Sequence, residues 1–89
     1  MIDKAKAATL YGHNFYFDDI VLSVYRDVWG KCFVVQVWRP GKVDYTNESM
    51  ESDRKIAGFS FENLDDAVEI AEHALTKIVL AEALFGWLR

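Results

Sequence analysis

The side chains best suited to chemistry are few: His13, His73 and Cys32, set among fourteen Asp and Glu residues. A structural zinc site needs four Cys or His ligands at short regular spacings, and two histidines with one cysteine do not supply it. Glu69 and His73 stand one helical turn apart and could hold a metal, but a solvated i,i+4 contact accounts for them more simply. Cys32 has no base beside it in the sequence and reads as a small apolar residue. The carboxylates are spread through polar stretches that predict no pocket to shift their pKa values. Gly-rich phosphate loops, nucleophile elbows and HExxH are absent. The expectation is therefore a protein that is not an enzyme, with no cofactor and no metal.

The whole chain of 89 residues is read as one domain, 1–89, with 52% apolar and 15% aromatic residues. That composition excludes a disordered chain and is high for a body with so little interior, which points to burial against a partner. The net charge of −4 and the scattered Lys and Arg residues argue against direct nucleic-acid binding. A single cysteine, no signal-peptide pattern and no apolar run of transmembrane length lead to the expectation of a cytoplasmic protein that binds no membrane.

The element that must organise the fold is the last third, Asn63 to Arg89. Asn63 is an N-cap residue, Asp66 makes a weak capping box, and Glu62, Asp65, Asp66 and Glu69 suit the positive end of the helix dipole. Leu64, Ala67, Val68, Ala71, Leu75 and Ile78 form one apolar stripe, while Asp65, Glu69, His73 and Lys77 form the opposite row. Before it, Met1 to Leu10 predicts a short helix ended by Gly12. Ile20 to Tyr25, Cys32 to Arg39, Lys42 to Thr46 and Arg54 to Phe61 read as strands. Gly30 and Pro40-Gly41 mark turns between them, and Asn47 to Asp53 reads as an exposed loop. The predicted fold is α+β: a four-stranded antiparallel β-meander packed on one long C-terminal α-helix, with a short N-terminal helix. Its inner face would be Ile20, Leu22, Val24, Phe33, Val35, Val37, Phe59 and Phe61.

Two apolar surpluses remain. Val21, Tyr25, Val34 and Trp38 fall on the face away from the helix, with Trp29 at a hairpin tip. Strand propensity or a covering N-terminal segment would explain them, and so would an aromatic patch for a protein partner. The second surplus is the end of the long helix, which should overshoot the sheet: Val79, Leu80, Ala83, Leu84, Phe85, Trp87 and Leu88. Three covers compete there. The helix breaks near Gly86 and folds back onto Phe15 and Tyr16, the N-terminal helix lies over it, or two copies exchange these ends in a homodimer.

The leading expectation is a non-enzymatic protein-binding module acting by surface complementarity. Tyr25, Trp29, Trp38 and Tyr45 would anchor a protein partner, and Glu48, Glu51 and Asp53 would supply charge. Leu80, Leu84, Phe85, Trp87 and Leu88 would form the dimer interface. The acidic residues could imitate nucleic-acid phosphates toward a nucleic-acid-handling complex. By analogy of size and style, that suggests the small inhibitors that phages and mobile elements direct at host defence complexes, anti-CRISPR proteins among them. The alternative is a small-ligand binder or accessory subunit with a polar cavity between sheet and helix.

Overall fold

The computed structural model describes residues 1–41, 43–44, 49–50 and 54–88, and within them the side chains of 1–41 and 55–84. Eight elements follow in order: α1 (Lys4–Ala7), β1 (His13–Tyr16), β2 (Val21–Arg26), β3 (Phe33–Arg39), β4 (Val43–Asp44), β5 (Ser49–Met50), β6 (Arg54–Phe61) and α2 (Leu64–Leu88). β1, β2, β3 and β6 make a four-stranded sheet in that order, every pair antiparallel, and α2 packs across one face. The fold is α+β, as the periodicities predict.

The helix starts where its signal says. Asn63 Oδ1 accepts from the Asp65 backbone N–H at 2.8 Å, and Asp65 and Asp66 occupy the first turn. The apolar stripe also lands as spaced: Ala67, Val68, Ala71 and Leu75 are buried, while Asp65, Glu69, His73 and Lys77 are exposed. Small residues at 67 and 71 let the helix backbone come close to the sheet. There it meets Leu22, Val24 and Val35, the largest fully buried side chains. Ladder partners share a face, so Phe15↔Leu22↔Val37↔Ala57 and His13↔Val24↔Val35↔Phe59 both point toward α2. Ile2 and Ala7 close the same core from the N-terminal side.

Several expectations need correction. α1 is shorter than Met1 to Leu10: Asp3 caps it, its Oδ1 accepting from Ala5 N–H at 2.9 Å, and the helix ends at Ala8, well before Gly12. His13–Tyr16 is a strand in its own right, which His13 and Asn14 disguised because neither favours β structure. Ile20 is not in the inner face. It precedes β2, where its carbonyl closes the β1–β2 turn by accepting from Phe17 N–H at 2.8 Å. Of the predicted strand Lys42 to Thr46, the described residues Val43–Asp44 do not join the sheet. β3 pairs directly with β6, down to Arg39↔Arg54, and Val43–Asp44 pairs with Ser49–Met50 as a separate ribbon. Ser49–Met50 is accordingly a strand inside the stretch expected to be loop. Phe59 faces the helix side but is 56% exposed, because α2 leans over β2 and β3 and leaves the outer strand β6 partly bare. Ile56 is set aside by a register shift: Val37 pairs with Ala57 and Trp38 with Lys55.

Two glycines hold the left-handed conformation, for different reasons. Gly30 (φ 71°) turns the β2–β3 hairpin in open space; Gly12 (φ 70°) is wedged against β2. A Cβ on Gly12 would lie 2.2 Å from the Val24 carbonyl oxygen and 2.5 Å from Tyr25 Cβ. Gly30→Ala should therefore cost only the left-handed penalty, about 1–2 kcal/mol. Gly12→Ala should cost clearly more, read as the difference between urea midpoints. Equal losses would contradict the close approach of the 9–12 loop to β2.

Candidate protein-binding interface

The potentially reactive side chains lie on three separate elements. His73 is exposed on the outer side of α2, in an open depression shared with Glu69, Glu72, Thr76 and Lys77. Cys32 is half-buried just before β3, and its carbonyl accepts from Asp27 N–H at 2.9 Å. His13 stands on β1, tilted against Phe15 with ring centroids 4.3 Å apart. Its Nδ1 is engaged, accepting from Asp3 N–H at 3.0 Å. Among the described residues, no group of three or more His, Cys, Asp or Glu is placed to hold a metal.

Exposed apolar side chains, by contrast, gather in distinct places. The first is the end of the sheet where β2 turns into β3. Asp27 N–H donates to the Cys32 carbonyl and Gly30 N–H to the Asp27 carbonyl, at 2.9 and 2.8 Å, which projects Val28 and Trp29 outward. The loop after α1 is pinned to this same end, since Arg26 N–H donates to the Thr9 carbonyl at 2.9 Å and Gly12 abuts Tyr25. That loop carries Leu10 and Tyr11. Trp29 is 79% exposed and Tyr11 89%, with Val28 and Leu10 also largely in water. Four apolar side chains from two loops thus share one end of the molecule.

The outer face of the sheet is different. Val21↔Trp38 and Tyr25↔Val34 confirm that these residues share it, yet Val21 and Ser23 are buried there. Trp38 is half-buried, and its indole N–H donates to Ser23 Oγ at 3.4 Å. The sheet has covered this face largely with its own large side chains. Tyr25 is half-buried too, and burial pushes its phenol above the ordinary tyrosine value, with Asp27 and Cys32 adding to the effect. Trp38 and Tyr25 are therefore part of the fold, and Trp29 is the freely exposed member of the expected set. Tyr45, Glu48, Glu51 and Asp53 lie outside the described residues.

The third place is the C-terminal half of α2. The helix runs through Gly86 to Leu88 without a break, about 37 Å at 1.5 Å per residue. A fold-back at Gly86, one of the three competing covers, is thereby removed. α1 does not cover this end either: it sits on the opening turns of α2, where Ile2 and Ala7 join Ala67, Val68 and Ala71, and Lys4 Nζ meets Asp65 Oδ1 at 2.8 Å. Val79, Leu80 and Leu84 are each more than half exposed beside an apolar depression lined by Leu75, Thr76, Val79, Leu80 and Ala83. Phe85, Trp87 and Leu88 continue the helix, their side chains outside the described set.

Leu10, Tyr11 and Val28 were missed by the sequence reading. A single exposed apolar residue in a loop carries no periodic signal, and only the Thr9–Arg26 bond brings the two loops together.

The same loop depends on α1, and α1 on His13. Burial holds the His13 imidazole below the ordinary histidine value; Lys6 and the N-terminal amine push the same way, and Asp3 opposes them. Protonation would turn Nδ1 from acceptor to donor and set it against Asp3 N–H. Because the unfolded chain takes up this proton first, the contribution of His13 is whole above about pH 6.5 and is lost as pH falls through the lower folded value. Unfolding midpoints should drop with acid in that window. His13→Asn keeps an acceptor near the Nδ1 position without titrating there, and should flatten the profile; an unchanged slope would contradict this role.

Comparison with known proteins gives no match to a family model, to a curated protein or to a solved structure.

Proposed function

We propose that this chain is a non-enzymatic protein-binding module that captures a protein partner with the apolar end formed by Leu10, Tyr11, Val28 and Trp29. The observation that supports it is the presentation of two aromatic rings by loops that are themselves held firmly. Trp and Tyr dominate binding hot spots because they bring large apolar area at low entropy cost, and loops fixed in advance lower that cost further. Trp29 rides on a turn closed by two backbone hydrogen bonds, and Tyr11 precedes a glycine locked against β2.

A second, acidic contact would suit a nucleic-acid-handling complex. Glu62, Asp65, Asp66 and Glu69 are exposed along the opening turns of α2 and could face a basic channel, the mode of an inhibitor of a host defence complex. The alternative of a small-ligand site has less support, since the space between sheet and helix is filled by Leu22, Val24, Val35, Val68 and Leu75.

Affinity capture from host lysate with parent, Trp29→Ala and Trp38→Ala baits tests the reading. Trp29→Ala should lose the partner at least tenfold with an unchanged melting curve, whereas Trp38→Ala should lower stability by uncovering Val21 and Ser23. Retention that survives high salt but needs Trp29 identifies the apolar end; retention that collapses with salt and ignores Trp29 assigns binding to the acidic turns. Capture that depends on neither would overturn the proposal.

A further inference from the structure

The two edges of the sheet are unlike. β1 offers four residues at one edge, whereas β6 runs for eight at the other and pairs with β3 alone among the described residues. Hydrogen-bond alternation between antiparallel strands fixes where the β6 backbone points. Asp27 N–H reaches the carbonyl of Cys32 opposite it, so the bonded pairs of β2 with β3 fall at Val34, Gln36 and Trp38. Phe33, Val35 and Val37 then turn their backbone groups to β6, where they meet Phe61, Phe59 and Ala57. Gly58 and Ser60 are left with N–H and C=O directed outward along the free edge, and both residues are exposed. Gly58 adds a second sign. Its φ is not left-handed, and a Cβ there would meet nothing nearer than the flexible Lys55 stem at 3.4 Å. The fold itself does not need this glycine, whereas a glycine inside a strand suits the close approach of another backbone.

We propose that two copies of the chain join through this edge, β6 against β6, antiparallel about a twofold axis at Phe59, so that one sheet runs across the dimer. A twofold places one residue opposite itself, and the register is therefore a choice of centre. With Phe59 at the axis, Gly58 of each copy meets Ser60 of the other, and their outward N–H and C=O groups pair in full. Phe59 is 56% exposed on the α2 side, and the two rings cover each other at the closely spaced, non-bonded position. The charges agree with this centre. The register shift puts Lys55, not Ile56, on the outer face next to Gly58, as its pairing with Trp38 and its stem beside Gly58 show. Lys55 of one copy then stands opposite Glu62 of the other, twice per dimer, and both residues are exposed. Moving the centre to Gly58 or Ser60 breaks that match and parts the two rings. A foreign strand would have to bring an acid, an aromatic ring and a base at these same spacings; a copy brings them by symmetry. Because α2 leans over β2 and β3, the surface above β6 is left open for the approach. The contact is one strand wide, smaller than an obligate interface, so the dimer should dissociate on dilution.

Sedimentation velocity across a dilution series tests the proposal, with circular dichroism on each variant. The parent should shift from dimer to monomer. Ser60→Pro removes an N–H that β3 does not use, so it should stay folded and be monomeric at every concentration. Lys55→Glu and Glu62→Lys should each weaken the dimer about tenfold, since two such pairs occur per dimer, and the double exchange should restore it. Register is read by disulfide trapping in a Cys32→Ser background: Phe59→Cys should link to itself, and Gly58→Cys only to Ser60→Cys. A parent that is monomeric throughout, a dimer indifferent to Ser60→Pro, or Gly58→Cys that links to itself would each overturn it. Should Ser60→Pro fail to fold, the charge exchange decides, and two single variants without effect would overturn the proposal. The partner-capture reading stands or falls separately, because Leu10, Tyr11, Val28 and Trp29 take no part in this contact.

Discussion

One apolar stripe on α2, closing over β2 and β3, is the contact on which the rest of the molecule depends. Leu64, Ala67, Val68, Ala71, Leu75 and Ile78 bury the inner face of a sheet too small to have a core of its own. With one helix available, coverage is a matter of placement. Where α2 lies, Leu22, Val24 and Val35 are sealed; at the bare edge, Phe59 is left partly in water. A helix of 25 residues is also longer than such a sheet requires, and Ile78 is the last of its described residues packed on the core. The N-terminal segment completes the seal by placing Ile2 and Ala7 against the opening turns, and a backbone bond to a neutral His13 holds it there.

The apolar surplus is consequently not of one kind. On the outer face of the sheet, Trp38 lies over Val21 and Ser23, which is how a two-layer fold can keep a solvent-side face closed without a third layer. At the β2–β3 turn, Val28 and Trp29 have no neighbour to cover, and the loop pinned beside them adds Leu10 and Tyr11. Along the end of α2 the exposed side chains sit on a regular element, in a row free of charge. Loops that present aromatic rings suit a foreign partner. No helix among the described residues is long and apolar enough to cross a membrane.

Much of this was legible in the residues. The helix start at Asn63, its stripe and its solvated row follow from spacing and capping alone, and the glycine turn at Gly30 is where loop length put it. The strands β2, β3 and β6 alternate clearly enough to be placed within a residue or so. What spacing could not show was pairing. β1 is too short and too polar to announce itself, and nothing local says that β3 skips Val43–Asp44 to join β6. The exposed apolar end was half visible: Trp29 stood out at a hairpin tip, but Tyr11 joins it only through the bond between Thr9 and Arg26. Trp38 and Tyr25 were legible as outer-face residues, though not as residues the fold itself consumes.

The central claim is that the apolar β2–β3 end, and not the outer face of the sheet, receives a protein partner. Backbone amide resonances followed while a captured partner is added test it most directly. The account predicts that shifts move at Tyr11, Val28 and Trp29 while those of Val34 and Trp38 stay fixed. Shifts centred on the outer face of the sheet, with the β2–β3 turn unmoved, would contradict it.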